Sequence, residues 1–418
     1  MVSSLKQLEH AKQMSKNNIH YRRFYNSIKT PATRRSYVYG LDRFMKFLFT
    51  NKKISDVYNF TSLTDFDSDK ITDVLEEYVF ELNQTLKPNS INAFLAPVEL
   101  FFEMNRKIWH KKLVRKSIQK NDSEQFGNTP VTVDEIQNIL RVCKHPRDIA
   151  LVHFLASTGI RPSGLLDPIL RLKHLVYLPD PDNLSNTKYC YGLKIYEGSN
   201  ESYWVFLTPE STKALDRYFG WRKYIRNEIL DDDSPIFGSV SRMSKYNHMT
   251  LHAMYTVLKK VYNKSGLKRE KKGHRYNKAI VYMFRKRFNT TLKLNNNVNS
   301  NITEKLMAHK RGLDGIYLQP TREQCYAEFV KAIPELTIDP TERQNLELLK
   351  KQKRIDDLEK QQKMNKSLND TVLDLQSKIE SYDKQSDMPI ITQKSLSDEL
   401  KNLLQSNPEL FITNIISN

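Results

Sequence analysis

The sequence predicts a mainly α protein with a small antiparallel β-sheet, an α+β chain, on three observations. Apolar residues recur at helical spacing through most of residues 30 to 335. One stretch, Tyr189 to Leu207, is instead rich in Tyr, Trp, Val and Ile and is broken at Glu197-Gly198-Ser199-Asn200, a hairpin signature. From Pro340 the composition turns to Lys, Glu, Gln, Asp and Leu, without glycine or proline to about 385, which is the composition of a long helix.

Residues 1–20 are polar and weakly periodic and read as an arm or a frayed helix. Thr30-Pro31-Ala32-Thr33 is a capping signal with proline at the first helical position, and Tyr37, Leu41, Phe44 and Leu48 follow on one face. Ile71, Val74, Leu75, Tyr78, Val79 and Leu82 repeat that spacing, and Pro88-Asn89-Ser90 opens a third helix with Pro97 inside it. Residues 21–120 therefore read as a helical domain. It closes on Arg106 to Lys120, a run with seven Lys or Arg and no acid. A polar linker, 121–130, precedes a second domain, 131–336, which opens on the capping box Thr132-Val133-Asp134-Glu135. Within 341–385, Leu348, Ile355 and Leu358 fit a and d positions of a heptad. Val372, Leu375, Ile379 and Tyr382 resume in a register shifted by three, across a polar middle with Gln362 and Asn365. This segment reads as an interrupted coiled coil that associates with copies of itself, or else as a single helix lying back on the protein. Residues 386–418 read as a helical tail.

The 418 residues carry a formal charge of +18 and are 39% hydrophobic, so the chain can build packed cores and its first-choice partner is a polyanion. No stretch approaches the roughly 20 apolar residues of a spanning helix, and the first residues lack the apolar core of a signal peptide, so no membrane role and a cytoplasmic location are expected. Cys143, Cys190 and Cys325 are far apart with no CxxC pair, which supports neither zinc nor a disulfide framework. No GxxxxGK[ST] phosphate loop is present, and no cofactor, metal or small-molecule ligand is expected.

The chemistry-bearing residues are spread widely. Ser157-Thr158-Gly159-Ile160-Arg161-Pro162 presents an arginine on a glycine turn between apolar helical segments; Arg285 and Tyr317 follow at long range. Two guanidinium forks can neutralise the non-bridging oxygens of a phosphate while a phenolic oxygen attacks phosphorus, so the set suits breakage of a phosphodiester without metal.

Thr158-Gly159-Ile160-Arg161-Pro162-Ser163 resembles the first arginine box of the tyrosine recombinases, the phage-integrase family. Tyr282-Met283-Phe284-Arg285-Lys286-Arg287-Phe288 resembles their second box, HxxR with an aromatic at plus three. Leu306-Met307-Ala308-His309 resembles their leucine-glycine-histidine segment, and Tyr317 follows the histidine by eight residues. The resemblance, closest to the archaeal-type integrases, implies a helical core-binding domain followed by a tyrosine-recombinase catalytic domain. It also implies double-stranded DNA as substrate, a clamp of the two domains around it, and a homo-tetramer on paired sites. Arg161 and Arg285 would clamp the scissile phosphate, His309 would hydrogen-bond it, and Tyr317 would form a 3′-phosphotyrosine.

Two departures stand out. Tyr282 takes the usual histidine position. Gly198 falls where the family's hairpin lysine, the general acid, is commonest, so Lys194 is the substitute, with Lys188 behind it. Ala308 and Gly164 replace a common glycine and glutamate, and Tyr326 competes with Tyr317 as nucleophile. Arg34 and Arg35, the run containing Lys111, Lys112, Arg115 and Lys116, and the loop containing Lys271, Lys272 and Arg275 are the expected phosphate contacts. Two other functions stay open: a DNA-binding regulator with a degenerate recombinase fold, suggested by Gly198 and Tyr282, and a type IB topoisomerase.

Overall fold

The computed structural model describes residues 2–119, 129–181, 183, 185, 187–240, 247–272, 275–309 and 317–383. Most of the expected linker and all of the expected tail lie outside them. The chain forms two compact units, Met1–Gln125 and Phe126–Asn418.

The first unit is helical: α1 (Val2–Asn17), α2 (Ile19–Ser27), α3 (Pro31–Thr50), α4 (Ser68–Thr85), α5 (Pro88–Met104) and α6 (Lys111–Lys116). The segment expected as an arm is α1, because Ala11 finds a place in the core at 2% exposure and Arg22 Nε ties the next helix to the Ser15 carbonyl at 2.8 Å. Thr30 caps α3 by accepting from the Thr33 N–H, with Pro31 at the first position. The six apolar residues predicted to share a face of α4 are all buried. Pro97 sits inside α5 facing Gly40, where a Cβ would lie 2.5 Å from the proline ring, so the missing side chain sets how closely α3 and α5 approach.

The second unit begins with α7 (Val133–Val142), whose capping box at Thr132 and Glu135 is formed on both sides. There follow α8 (Pro146–Thr158), α9 (Pro162–Leu166), strands β1 (Leu175–Leu178), β2 (Cys190–Ile195) and β3 (Tyr203–Phe206), α10 (Pro209–Tyr224) and α11 (Leu251–Lys264). A short ribbon β4 (Lys271–Lys272) and β5 (Arg275–Tyr276) leads to α12 (Tyr282–Leu294), α13 (Ser300–Leu306), α14 (Arg322–Lys331), α15 (Ile333–Leu336) and α16 (Pro340–Asp383). The expected hairpin is β2–β3, antiparallel with Ile195 opposite Tyr203. β1 extends the sheet in the order β1-β2-β3. Its four residues, Leu-Val-Tyr-Leu, are too short and uniformly apolar for periodicity to separate strand from buried helix.

α8 is apolar on nearly every side, with Ala150, Leu151, Val152, Phe154, Leu155 and Ala156 all buried, and it forms the centre of the larger core. Its C-terminal end carries the arginine turn, so the site is anchored to the most buried helix of this unit. The start of α16 is held to the body as well: Glu210 accepts from the Ile338 and Asp339 N–H groups at 2.7 and 3.0 Å, and burial pushes its carboxyl up to about 7. The Cys143 and Cys190 thiols are buried and pushed up to about 12, and Cys325 to about 11, which leaves them as packing residues.

Candidate phosphate-binding site

Gly159 ends α8 in the left-handed region at φ 54°, and a Cβ there would lie 2.7 Å from Phe288 on α12. Only glycine meets both demands without strain, and the consequence is that α8 and α12 come close enough for Arg285, one turn before Phe288, to reach the turn. Ile160 is buried at 1% exposure and fixes the loop, after which Arg161 stands at the N-cap of α9 in extended backbone. Its Nη2 donates to the Ala308 carbonyl at 3.4 Å.

Arg285 is 6% exposed. Its Nη1 donates to the Gly159 carbonyl at 2.9 Å, and its Nη2 donates to the Met307 carbonyl and to His309 Nε2, the latter at 3.1 Å. Burial lowers its pKa from the ordinary arginine value and the charge of Arg161 adds to that, partly opposed by the phenols of Tyr203 and Tyr282. Among the described residues neither Arg161 nor Arg285 has a carboxylate partner. Two guanidinium groups thus converge on one spot, oriented by carbonyls and short of a counter-charge, which is the arrangement of an anion site.

α13 supplies the third group. Ala308 adopts φ 50°, the conformation that makes glycine common at this position of the resembling motif, and this turns its carbonyl toward Arg161. His309 Nδ1 lies 2.6 Å from Glu304 Oε2, and the His309 N–H donates to the Glu304 carbonyl at 2.8 Å. Lys293 pairs with the other Glu304 oxygen. Since Arg285 can only donate, Nε2 of His309 must accept, so the ring proton sits on Nδ1 and points at Glu304. Burial lowers the His309 pKa below the ordinary histidine value; Glu304 works in the opposite direction, and Arg285 and Arg161 add to the lowering. A phosphate-donor role for Nε2 therefore needs a second proton, whereas an acceptor role needs none.

The hairpin closes one side. A cleft of about 270 Å³ is lined by Lys194, Tyr203, Trp204, Lys305, His309 and Gln319, so Lys194 and His309 share a cavity. Lys194 faces Trp204 across the strands, its Nζ 6.0 Å from the ring centre. Lys188 instead lies over Tyr177 and does not line the cleft. Gly164 leaves no room for the acid common there, since even a Cβ would sit 3.1 Å from Ile160 and Ile195. The adjacent Ser163 hydroxyl is 2.8 Å from that of Tyr196, which ties the arginine turn to the hairpin.

Two residues here were not singled out in the sequence. Glu304 had a usable signal, a carboxylate one helical turn before a motif histidine. Tyr203 had none, as an aromatic on a strand is ordinary core. Tyr203 is 7% exposed, its buried hydroxyl lies beside the Arg285 guanidinium and the Arg161 backbone, and burial, opposed by the charges of Arg285 and Arg161, pushes it up to about 12.

The two candidate nucleophiles differ sharply in environment. Tyr317 is 78% exposed, and among the described residues no hydrogen bond or ion pair joins it to the arginines; Gln319, two residues on, lines the cleft. Tyr326 is 7% exposed, packs on Phe206, and donates its hydroxyl to the Pro179 carbonyl at 2.8 Å. Tyr282 opens α12 and is 45% exposed.

The expected phosphate contacts also divide. Arg35, Lys112, Lys116 and Lys271 are exposed. Lys272 and Arg275 are register partners in the β4–β5 ribbon. Arg34 is half-buried over Tyr25 and donates to the Ile28 carbonyl. Arg115 forks onto Glu99 at 2.8 Å, and Lys111 lies 3.5 Å from the same carboxylate, so both carry a local counter-charge. Among the described residues there is no cluster of His, Cys, Asp or Glu that could hold a metal ion, and no helix long and apolar enough to cross a membrane.

No family model and no curated protein matches the chain. Solved structures similar to it include the XerH site-specific recombinase bound to difH substrate in a pre-cleavage complex, at 17% identity, 70% of this chain, 78% of that chain and a TM-score of 0.46. They include XerA recombinase, at 17% identity, 75% and 98% coverage and a TM-score of 0.32. The integrase from mycobacterium phage Brujita is similar at 14% identity, 76% and 91% coverage and a TM-score of 0.36. All three scores lie below 0.5, and the chemistry proposed next rests on this chain's own side chains.

Proposed function

We propose that the chain is a tyrosine recombinase, a site-specific enzyme that cuts and rejoins duplex DNA through a 3′-phosphotyrosine, without metal or ATP. The observation that carries this is the convergence of Arg161 and Arg285 on one spot with carbonyls for orientation and, among the described residues, no carboxylate to neutralise them. The scissile phosphate is the counter-charge they lack. As phosphorus becomes five-coordinate, charge grows on its equatorial oxygens, and preorganised guanidinium forks stabilise that growth.

A free phenol ionises near pH 10, so attack at neutral pH requires the proton to be taken as the bond forms. His309 Nε2 is the basic atom beside the arginines and receives it. The Tyr317 oxygen bonds to phosphorus, the bond from phosphorus to the 5′-oxygen breaks, and the Lys194 ammonium protonates that oxygen as it leaves. Religation runs the same steps in reverse, and attack by a 5′-hydroxyl from another strand gives exchange. The exposure of Tyr317 favours it over Tyr326, whose hydroxyl is already committed to a carbonyl. The Tyr282 and Tyr203 hydroxyls serve as donors to the phosphate. Arg35, Lys112, Lys116 and Lys271 contact the duplex backbone, and four protomers act on two sites.

The test is to incubate the full chain with a random-sequence duplex library carrying single nicks and to look for protein that stays on DNA in detergent. Adducts concentrated on one sequence support the recombinase. Adducts with no sequence preference, together with relaxation of supercoiled plasmid, favour the topoisomerase. Binding with no adduct favours the regulator.

A further inference from the structure

α16 runs for 44 residues, about 66 Å at 1.5 Å per residue, and only its first two turns touch the body of the protein. Lys213 pairs with Glu342 at 2.7 Å and Leu346 packs on the smaller core of this unit. Beyond Leu346 most of the large apolar residues are exposed, with Leu348 at 62%, Ile355 at 48%, Leu358 at 53%, Val372 at 43% and Ile379 at 47%, while Leu368 and Leu375 are half-buried. Among the described residues of this unit nothing covers that face of the helix, which leaves it open to a partner.

The pattern says which one. In the first register Leu348 and Ile355 hold a and Leu358 holds d. Counting back from Val372 and Leu375 in the second register places Asn365 at a and Leu368 at d, followed by Val372 (a), Leu375 (d), Ile379 (a) and Tyr382 (d). β-Branched residues at a with leucine at d favour two parallel strands, and one asparagine at an a position fixes strand number and register by pairing with itself. The flanking positions agree. In a parallel pair Arg354 faces Glu359 of the other copy, of opposite sign, and the other g and e positions of these registers form no like-charged pair. The shift between Leu358 and Leu368 drops the heptad phase by three and overwinds the pair locally without removing the seam.

We infer that α16 joins two copies of this chain as a parallel, in-register, two-stranded coiled coil, with Asn365 of each copy paired at its centre. The contact needs no DNA and does not depend on the recombinase chemistry. It makes a dimer the unit from which any larger assembly is built.

Sedimentation equilibrium of the DNA-free full chain tests it. The wild type is expected at twice the chain mass. The double variant Leu368→Lys with Leu375→Lys should fall to the chain mass while keeping the thermal transition of the two compact units. Under mild oxidation Leu375→Cys should cross-link to itself, whereas Lys363→Cys, on the outer face of the second register, should not. A monomeric wild type, or a double variant that keeps the doubled mass, overturns the inference. A dimer whose Leu375→Cys form does not cross-link overturns the parallel register.

Discussion

Glu304 Oε2 lies 2.6 Å from His309 Nδ1, while the opposite ring nitrogen is 3.1 Å from the Arg285 guanidinium. One carboxylate therefore decides which nitrogen of the histidine is basic. Removing the carboxylate while keeping the shape, in Glu304→Gln, should slow adduct formation by about tenfold or more, because the acceptor that fixes the tautomer is weakened. Single-turnover rates against pH check the assignment. The His309 pKa is depressed, so the neutral ring is retained until the pH falls below the ordinary histidine value, and the wild-type rate should hold at pH 7 and drop only on the acid side of 6.5. Glu304 raises that pKa, so its loss should move the drop to lower pH. A rate that rises with acid would instead assign His309 as a phosphate donor.

In the proposed mechanism Arg161→Ala removes one of two forks that meet a single phosphate. Loss of one preorganised donor to a developing oxyanion lowers turnover by roughly 10²- to 10³-fold. Adduct yield on a nicked duplex should fall by that order with the folded state intact, as near-ultraviolet circular dichroism would verify. Arg161→Lys should not restore it, since an ammonium cannot form the same fork.

Tyr203→Phe deletes a buried hydroxyl that faces the charges of Arg285 and Arg161. The free protein should lose at most about 1 kcal/mol, because the oxygen has only marginal contacts to Arg285 and the Arg161 backbone. Cleavage should nonetheless slow by about 10- to 100-fold if the hydroxyl donates to a charged phosphate. Unchanged cleavage would leave Tyr203 as a core residue.

Gly159→Ala tests the turn itself. A methyl group at φ 54° costs about 1–2 kcal/mol in backbone strain, and its 2.7 Å contact with Phe288 adds an overpacking term of about 1–3 kcal/mol. Urea denaturation should show destabilisation of that combined order, with cleavage reduced further than stability because Arg285 takes its orientation from the Gly159 carbonyl.

Much of the molecule was legible from pattern. The helices of the first unit follow from apolar spacing, and the caps of α3 and α7 from Thr30 and Thr132, because these signals are local. The short strand at Leu175–Leu178 was not, and the sequence left residues 1–20 between an arm and a helix, since what places both segments is packing against distant residues. The site divides the same way. Arg161, Arg285 and His309 are brought together as their motifs imply, and Lys194 joins His309 in one cleft. Glu304 and Tyr203 matter through three-dimensional neighbours, which spacing does not encode. Arg115 and Lys111 show the converse: a basic run reads as a DNA surface until Glu99, sixteen and twelve residues away, is found beneath it.

The most direct measurement is mass spectrometry of the peptide left on DNA after the full chain is trapped on a nicked duplex recovered from the library. The account predicts one nucleotide-bearing residue, Tyr317, and no trapped species from Tyr317→Phe. A DNA-bound chain that never becomes covalently attached, or a nucleotide found on Tyr326, would contradict it.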